Sequence, residues 1–363
     1  MIKIIKEKEV WDRLVRKSIQ ADFYHTYDYH HIAKNKGEEP VLIHFSGTNK
    51  TNVLLPLLIR DIEGSSFKDA TSVYGYPGPI VENPVSDHDY SQFQNEIQIF
   101  FKEQGIISIF SRLNPFLPEQ VNVLQGLGNI EELGSVVYLD LTSPLDEQWA
   151  SYHKRLRTYI NKSRSMYWIK QAKDMKDLDA FIALYYENMQ RVNADTAYFF
   201  DKTYFVDLLN CSDFNSEILL AIDKTTNEAV GGAMFTKKNS IIQYHLSGAC
   251  GSFLSLNPVK LLIDEMRIKG TEENYEYFNL GGGVGSKKDS LYYFKSGFSK
   301  KSMPFKVWKF VVDQNNYDDL VQQTEHMRPG DRPYQYFPLY RDKNNGVRLD
   351  NNKQIPTKPT LSK

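Results

Sequence analysis

Cysteine is nearly absent. The 363 residues include only Cys211 and Cys250, too few for a disulfide framework and without metal-ligand spacing, which suits a reducing compartment. Long apolar runs are missing too. Residues 53–59, one of the longest such stretches, contain Pro56 and fall far short of the roughly 20 residues that a membrane-spanning helix requires. No charge of one sign dominates, since 44 Lys and Arg stand against 45 Asp and Glu for a net charge of -1. That balance argues against a chain built chiefly to coat nucleic acid, while leaving room for a local basic patch. The opening residues, Met1-Ile2-Lys3-Ile4-Ile5-Lys6, alternate as an edge strand does; they lack the apolar stretch and small-residue cleavage site of a signal peptide. The expected location is cytoplasmic.

Missing motifs narrow the chemistry further. His25, His30, His31 and His44 raise the question of a metal, but no His-Glu-x-x-His or Cys-x-x-Cys spacing occurs, so no metal site is expected. The Gly-rich Leu280-Gly281-Gly282-Gly283-Val284-Gly285-Ser286 is no Walker loop, and it has Ser286 where the dinucleotide fingerprint needs its third glycine. Taken alone, it reads as a turn with positive φ and close backbone approach. The absence of a Gly-x-Ser-x-Gly elbow argues against a covalent serine intermediate.

What is present is an ordinary globular composition, 41% hydrophobic and 25% charged, in a chain long enough for about two domains. The first half reads as strand 2–5, helices near 10–17 and 27–34, strands 41–45, 53–59 (interrupted at Pro56) and 71–74, a turn at Tyr76-Pro77-Gly78-Pro79, helix 90–103, and strands 106–110 and 135–141. The second half reads as a basic helix over 146–163, strand 167–170 and a helix carrying the apolar stripe Leu178, Phe181, Ile182, Tyr185, Met189 and Val192. A three-strand meander over 216–222, 229–236 and 241–246 follows. After it come a helix with Asn257 at the cap and Pro258 at its first position, strand 275–280, a short helix holding Phe294-Lys295, and strand 305–312.

Two helices, an antiparallel meander, a helix and a strand form the element order of an acyl-CoA N-acyltransferase fold, and the first half approximates the same order. The wider segment Phe278-Asn279-Leu280-Gly281-Gly282-Gly283, Asp289-Ser290-Leu291 and Phe294-Lys295-Ser296-Gly297-Phe298 resembles the C-terminal signature of FemAB-type and related GNAT-like acyltransferases. Phe23-Tyr24-His25-Thr26, Tyr74-Gly75-Tyr76-Pro77-Gly78-Pro79, Arg112-Leu113-Asn114-Pro115, the helix around 157–163 and Pro338-Leu339-Tyr340-Arg341 are similar to further motifs of that family. The resemblance implies an α/β (α+β) fold of two tandem GNAT-like domains, each a mixed, mainly antiparallel sheet flanked by helices. Residues 1–143 would be the acceptor side, 144–341 the acyl-donor side and 342–363 a polar tail.

Donors in this family are aminoacyl-tRNA or acyl-CoA. The chain looks closer to the acyl-CoA-dependent sugar N-acyltransferases, because it has no long charged helical insertion and no strong positive charge. The resemblance thus implies an N-acyltransferase moving an acyl group from acyl-CoA, without a metal, to the amino group of a dTDP- or UDP-linked amino-dideoxy sugar, for O-antigen or other surface polysaccharide. A FemX-like aminoacyl-tRNA-dependent ligase on a peptidoglycan precursor and a non-catalytic tRNA or glycan binding protein are the alternatives, and a homodimer is an open expectation.

The chemistry requires an amine to attack a thioester through a tetrahedral oxyanion, which backbone amides on a splayed strand can stabilise. The meander's last strand, with Gln243, Tyr244, His245, Leu246, Ser247 and Gly248, is the candidate, Gly248 allowing close approach of the donor. Donor phosphates are expected at the following helix N-terminus, near Ser255, Leu256, Asn257 and Lys260, although the usual GNAT Arg/Gln-x-x-Gly-x-Gly/Ala loop is absent there. His245 is a candidate base, with Asp289 and Tyr244 as alternatives, and Lys295 matches the family lysine linked to transition-state or acceptor charge. Lys154, Arg155, Arg157, Lys162 and Arg164 form a basic run suited to phosphate oxygens. Tyr24, His25, Tyr74, Tyr76, Arg157, Tyr244, Gly282, Gly283 and Phe294 complete the expected substrate-binding set.

Overall fold

The computed structural model describes residues 1–48, 50–84, 89–325 and 336–342; all of the expected tail except its first residue lies outside them. The first half runs β1 (Ile2–Ile5), α1 (Lys8–Lys17), α2 (Tyr27–Ala33), β2 (Glu38–Ser46), β3 (Asn52–Asp61), β4 (Lys68–Thr71), β5 (Ile80–Glu82), α3 (Ser91–Glu103), β6 (Ile106–Arg112), α4 (Glu119–Leu124) and β7 (Asn129–Asp140). The second half runs α5 (Leu145–Ser151), α6 (Lys154–Met166), β8 (Tyr167–Gln171), α7 (Met175–Arg191), α8 (Lys202–Asn210), β9 (Asn215–Asp223), β10 (Ala229–Lys238), β11 (Ile241–Ala249), α9 (Pro258–Glu272), β12 (Tyr277–Gly281), α10 (Ser290–Ser296), β13 (Ser302–Val311) and α11 (Gln314–Glu325).

All the strands belong to one 13-stranded sheet in the order β1-β2-β3-β4-β6-β13-β7-β12-β11-β10-β9-β8, with β5 beside β3. Each half ends its antiparallel run with a parallel pair, β4 with β6 and β11 with β12. The two runs then exchange strands. β13, late in the chain, pairs β6 of the first half, whereas β7 pairs β12 of the second; β7 and β13 join each other at the centre. The two mixed sheets expected from element order are therefore continuous.

Apolar side chains on the two faces explain the helix placement. Leu156 and Ile160 of α6 and Leu261, Leu262 and Met266 of α9 cover one face of the second half-sheet. On the other, Leu178, Phe181 and Tyr185 of α7 and Phe205 and Leu208 of α8 share a core with Phe23, Tyr24 and Tyr29 from the first half. That shared core makes an interface of the two halves.

Several local expectations change. The single helix predicted over 146–163 is broken, because Tyr152 is extended and sends its ring into the core, where its hydroxyl donates to Asp264 at 2.9 Å. Pro56 does not interrupt β3. It pairs with Leu42 of β2 and falls between the stretches of β3 that β5 and β4 cover, an edge position that tolerates a residue without an N–H. The strand predicted at 71–74 ends at Thr71, and the chain then leaves the sheet.

Candidate functional site

Residues 241–243 of β11 pair in parallel with 277–279 of β12, and there the ladder stops. Beyond Gln243, β11 keeps β10 as its strand partner but loses β12. A bulge sharpens the divergence, because Phe235 faces Tyr244 and Met234 faces Leu246, leaving His245 as the extra residue. The expected splay of the meander's last strand is present.

A buried polar network from both halves fixes the apex of the splay. The Asp22 carboxylate accepts from Gln243 Nε2 at 2.6 Å, Asn114 Nδ2 at 3.1 Å and the Phe23 amide at 2.6 Å, and Asn279 Nδ2 donates to Gln243 Oε1 at 2.8 Å. Burial pushes the Asp22 carboxyl up to about 7, partly offset by these donors. Above the network sits the turn at 74–79. His25 Nε2 and Gln120 Nε2 both bond the Pro77 carbonyl, at 2.6 and 2.9 Å, and the Asp22 amide donates to His25 Nδ1 at 2.9 Å. His25 is thus enclosed and neutral, its pKa lowered to about 4 by burial; it braces the turn that carries Tyr74 and Tyr76. Tyr24 packs directly against Gly75, where a Cβ would stand 2.0 Å from its ring.

The Gly-rich segment after β12 brings a lysine and a tyrosine together. Lys295, on α10, is 8% exposed and donates to the Gly282 carbonyl at 2.7 Å. Burial lowers its pKa to about 8, with Asp289 opposing weakly. A Cβ on Gly281, whose φ is +78°, would lie 3.2 Å from Lys295 Nζ and 3.6 Å from the Tyr76 hydroxyl. Both groups therefore converge on the space beside Gly281, one from each half. Asp289 caps α10: its carboxylate accepts from the Tyr292 and Val284 amides at 2.9 and 3.1 Å. These bonds lower its pKa, the Tyr292 amide contributing most. Gly283 is needed because a Cβ there would stand 2.3 Å from Asp289 Oδ1, and Gly282 because one would stand 2.9 Å from the Ser135 carbonyl.

On the α6, α9 and α10 face, Asn257 precedes α9 with φ 57° and makes no side-chain cap; its Nδ2 donates to the Ser255 carbonyl at 2.8 Å. The α9 N-terminus therefore has no side-chain acceptor from its cap residue. Close by, Lys260 Nζ stands 4.4 Å from the Tyr159 ring centroid and 5.9 Å from that of Phe294. Its pKa is lowered by burial and by Arg155. The basic run divides: Arg164 pairs with Asp264 and Glu265, whereas Lys154, Arg155, Arg157, Lys162 and Lys260 form no ion pair among the described residues.

The remaining β11 residues take different surroundings. His245 Nε2 bonds the Tyr204 hydroxyl at 2.8 Å and is ringed by Phe23, Tyr29 and Tyr204; burial lowers its pKa to about 4. Tyr244 points to the α6 and α9 face, where its hydroxyl bonds Ser247 Oγ. Burial pushes that phenol up to about 12. Leu246 packs with the opposite core. The close approach expected at Gly248 is made by α7 instead: a Cβ there would stand 2.2 Å from the Leu184 carbonyl. Asn188 and Arg191 of the same helix donate to the Ser247 and Ala249 carbonyls at 3.3 and 3.2 Å.

Sequence reasoning missed Asp22, and also Tyr204 on the unassigned α8; it had Gln243 only as a residue of the candidate strand and Asn279 only as part of the Gly-rich signature. It noted Arg112 and Asn114 only as part of a string. Two cavities of about 460 and 620 Å³ lie elsewhere, near Lys238 and Tyr275 and near Phe116 and Tyr277, toward the opposite ends of β11 and β12. Among the described residues no group of His, Cys, Asp or Glu could hold a metal, and no helix is long and apolar enough to cross a membrane.

No family model matches the sequence, and no curated protein does. Solved structures are similar in fold. FemX superposes with a TM-score of 0.68 at 13% identity, over 87% of this chain and 99% of that one. The C-terminal domain of a putative lysylphosphatidylglycerol synthetase from Agrobacterium fabrum gives 0.54 at 14% identity, over 88% and 97%. L-PGS from Bacillus licheniformis gives 0.53 at 12% identity, over 89% and 98%. What is shared at such identities is the fold, a mixed α/β architecture with a large mixed sheet flanked by helices.

Proposed function

We propose that the chain is an N-acyltransferase whose reaction centre lies beside Gly281, between Lys295 and Tyr76. The observation that carries this reading is the convergence of a buried, carboxylate-free lysine and a tyrosine from opposite halves at the mouth of a splayed parallel strand pair. An acyl donor lying along β11 beyond Gln243 would bring its carbonyl toward that point. The acceptor amine attacks the carbonyl carbon, a tetrahedral oxyanion forms, and the carbon–sulfur bond breaks as the amine's proton passes to the departing thiolate. The Lys295 ammonium, held by the Gly282 carbonyl in a dry setting, stabilises the oxyanion. Asp289 serves by fixing the loop and α10, since both of its oxygens are taken by amides. His245, tied to Tyr204, orders the aromatic wall on the acceptor side.

The finer reading is acyl-CoA as donor and a nucleotide-linked amino sugar as acceptor. The α9 N-terminus with Lys260, Tyr159 and Arg155 supports a donor pyrophosphate, and Tyr74 and Tyr76 offer rings to a sugar or base, whereas Tyr24, expected to do the same, is buried in the core beneath them. A second reading, an aminoacyl-tRNA donor, is favoured by the unpaired cations of α6, which suit a nucleic-acid backbone, and by the fold shared with FemX. Incubation with acyl-CoAs and amino sugars, followed by thiol release, tests the first; transfer of labelled amino acid from charged tRNA tests the second. Lys295→Met is expected to cut either rate by roughly a hundredfold or more, the usual effect of losing one oxyanion donor. Turnover unchanged in that variant would reject the centre.

A further inference from the structure

The more buried arginines of this protein find carboxylates: Arg60 and Arg341 on Asp69, and Arg267 on Asp264. Arg112 does not. It is the last residue of β6, half-buried, and forms no ion pair among the described residues. Its guanidinium lies instead 5.5 Å from the Tyr74 ring centroid and 5.4 Å from that of Phe110. The backbone around it is fixed, because the Arg112 amide donates to Ser72 Oγ at 3.1 Å and the Leu113 amide to the Lys306 carbonyl at 3.0 Å. Tyr74 is 57% exposed, so this half-buried cation has beside it a ring that solvent reaches. Its field reaches the hydroxyls of Tyr29, Tyr74 and Tyr76, each of which it makes more acidic against the stronger effect of burial. Tyr76 in turn adjoins Lys295 across Gly281.

We infer that Arg112, with Tyr74 and Tyr76, forms an oxyanion subsite that takes a phosphate or carboxylate group of the acceptor. This deepens the acyltransferase reading and rests on it for the word acceptor alone. A planar guanidinium held between aromatic rings is preorganised for two parallel hydrogen bonds to such a group, and it gives up no competing ion pair to make them. Arg112 and Lys295 together make this part of the cleft cationic, so an acidic acceptor is attracted and a cationic one repelled. Tyr74 supplies a ring on which a base or sugar next to the acid can rest.

Equilibrium titration of the full chain with uridine diphosphate, with inorganic phosphate and with an acidic dipeptide tests this without requiring turnover. Wild type is expected to bind one of these anion classes. Arg112→Gln should weaken that binding roughly ten- to a hundredfold, as loss of charge-assisted hydrogen bonds does, and Arg112→Lys should restore part of it. Preference for the nucleotide identifies a phosphate source, preference for the dipeptide a carboxylate. A neutral amino sugar should bind both proteins alike. If Arg112→Gln does not fold, Tyr74→Ala is expected to weaken the same ligand. Affinity within about twofold of wild type in the folded variants, or no anion binding by wild type, overturns the subsite. Anion binding through Arg112 without acyl transfer would instead sink the acyltransferase reading and leave the subsite standing.

Discussion

At the residue scale, desolvation is the dominant force on Lys295, Tyr76, His25 and Asp22. Lys295 has its pKa lowered to about 8 by burial, so a role as ammonium gives a rate that falls as pH rises through about 8. A lysine acting as a base would give the opposite limb. The expected outcome is a descending limb near pH 8 that is absent in Lys295→Met, measured as the pH profile of kcat/KM. The buried imidazoles behave in the contrary sense. His25 and His30 are lowered from the ordinary 6.5 to about 4 and about 3 by burial. Being neutral when folded, they contribute stability that is present above pH 6.5 and is lost as pH falls toward those values, at roughly 1.4 kcal/mol per group per pH unit. Asp22, pushed up to about 7, opposes them between about 4 and 7. Imidazole proton shifts of His25 and His30 should stay flat by NMR from pH 8 to 5.5; a midpoint near 6.5 would contradict their burial. The residues of this set that sequence revealed, His25, Tyr76 and Lys295, stood in recognisable strings. Asp22 and Gln243 did not, and Asn279 stood in one without a role, because the importance of all three comes from meeting one another across about 250 residues of chain, which no local pattern records.

At the scale of elements, periodicity and cap chemistry revealed most helices and strands, as with Pro258 opening α9 and the apolar stripe of α7. Where tertiary contacts overrode local preference, the reading failed: Tyr152 breaks α5 from α6 to reach Asp264, and β3 runs through Pro56 because its other edge is open there. The purpose of Gly248 was also hidden, since α7 packs onto it from a distant part of the chain. Gly248→Ala must push that helix aside and is expected to destabilise the fold by about 1–3 kcal/mol. Gly285→Ala, with φ +58° and nothing within 4 Å, should cost only about 1 kcal/mol. Urea unfolding of both variants checks the order, and equal losses would show that α7 does not rest on Gly248. Asp289→Ala removes the cap of α10 and the tie to Val284, so Lys295 is expected to lose position; activity should fall and Asp289→Asn should recover part of it.

At the scale of the whole molecule, the exchange of β7 and β13 makes the halves depend on each other. β13 completes the first half-sheet and β7 the second, while Arg16 of α1 bonds Asp213 beyond α8 and Asp22 binds Gln243. A chain cut between residues 143 and 144 is therefore expected to give fragments that remain associated, neither showing a cooperative melt alone; independent melting of each would contradict the exchange. The same interlocking brings Tyr76 to Lys295 across Gly281, which is why the proposed centre was only half legible from either half's sequence. The most direct test of that centre is single-turnover acyl transfer by the wild-type chain, Lys295→Met and Tyr76→Phe, using the donor, acyl-CoA or aminoacyl-tRNA, that supports turnover. Loss of the transfer step in Lys295→Met and slowing in Tyr76→Phe, with donor affinity retained in both, is the expected result, whereas wild-type rates in both variants would place the chemistry elsewhere.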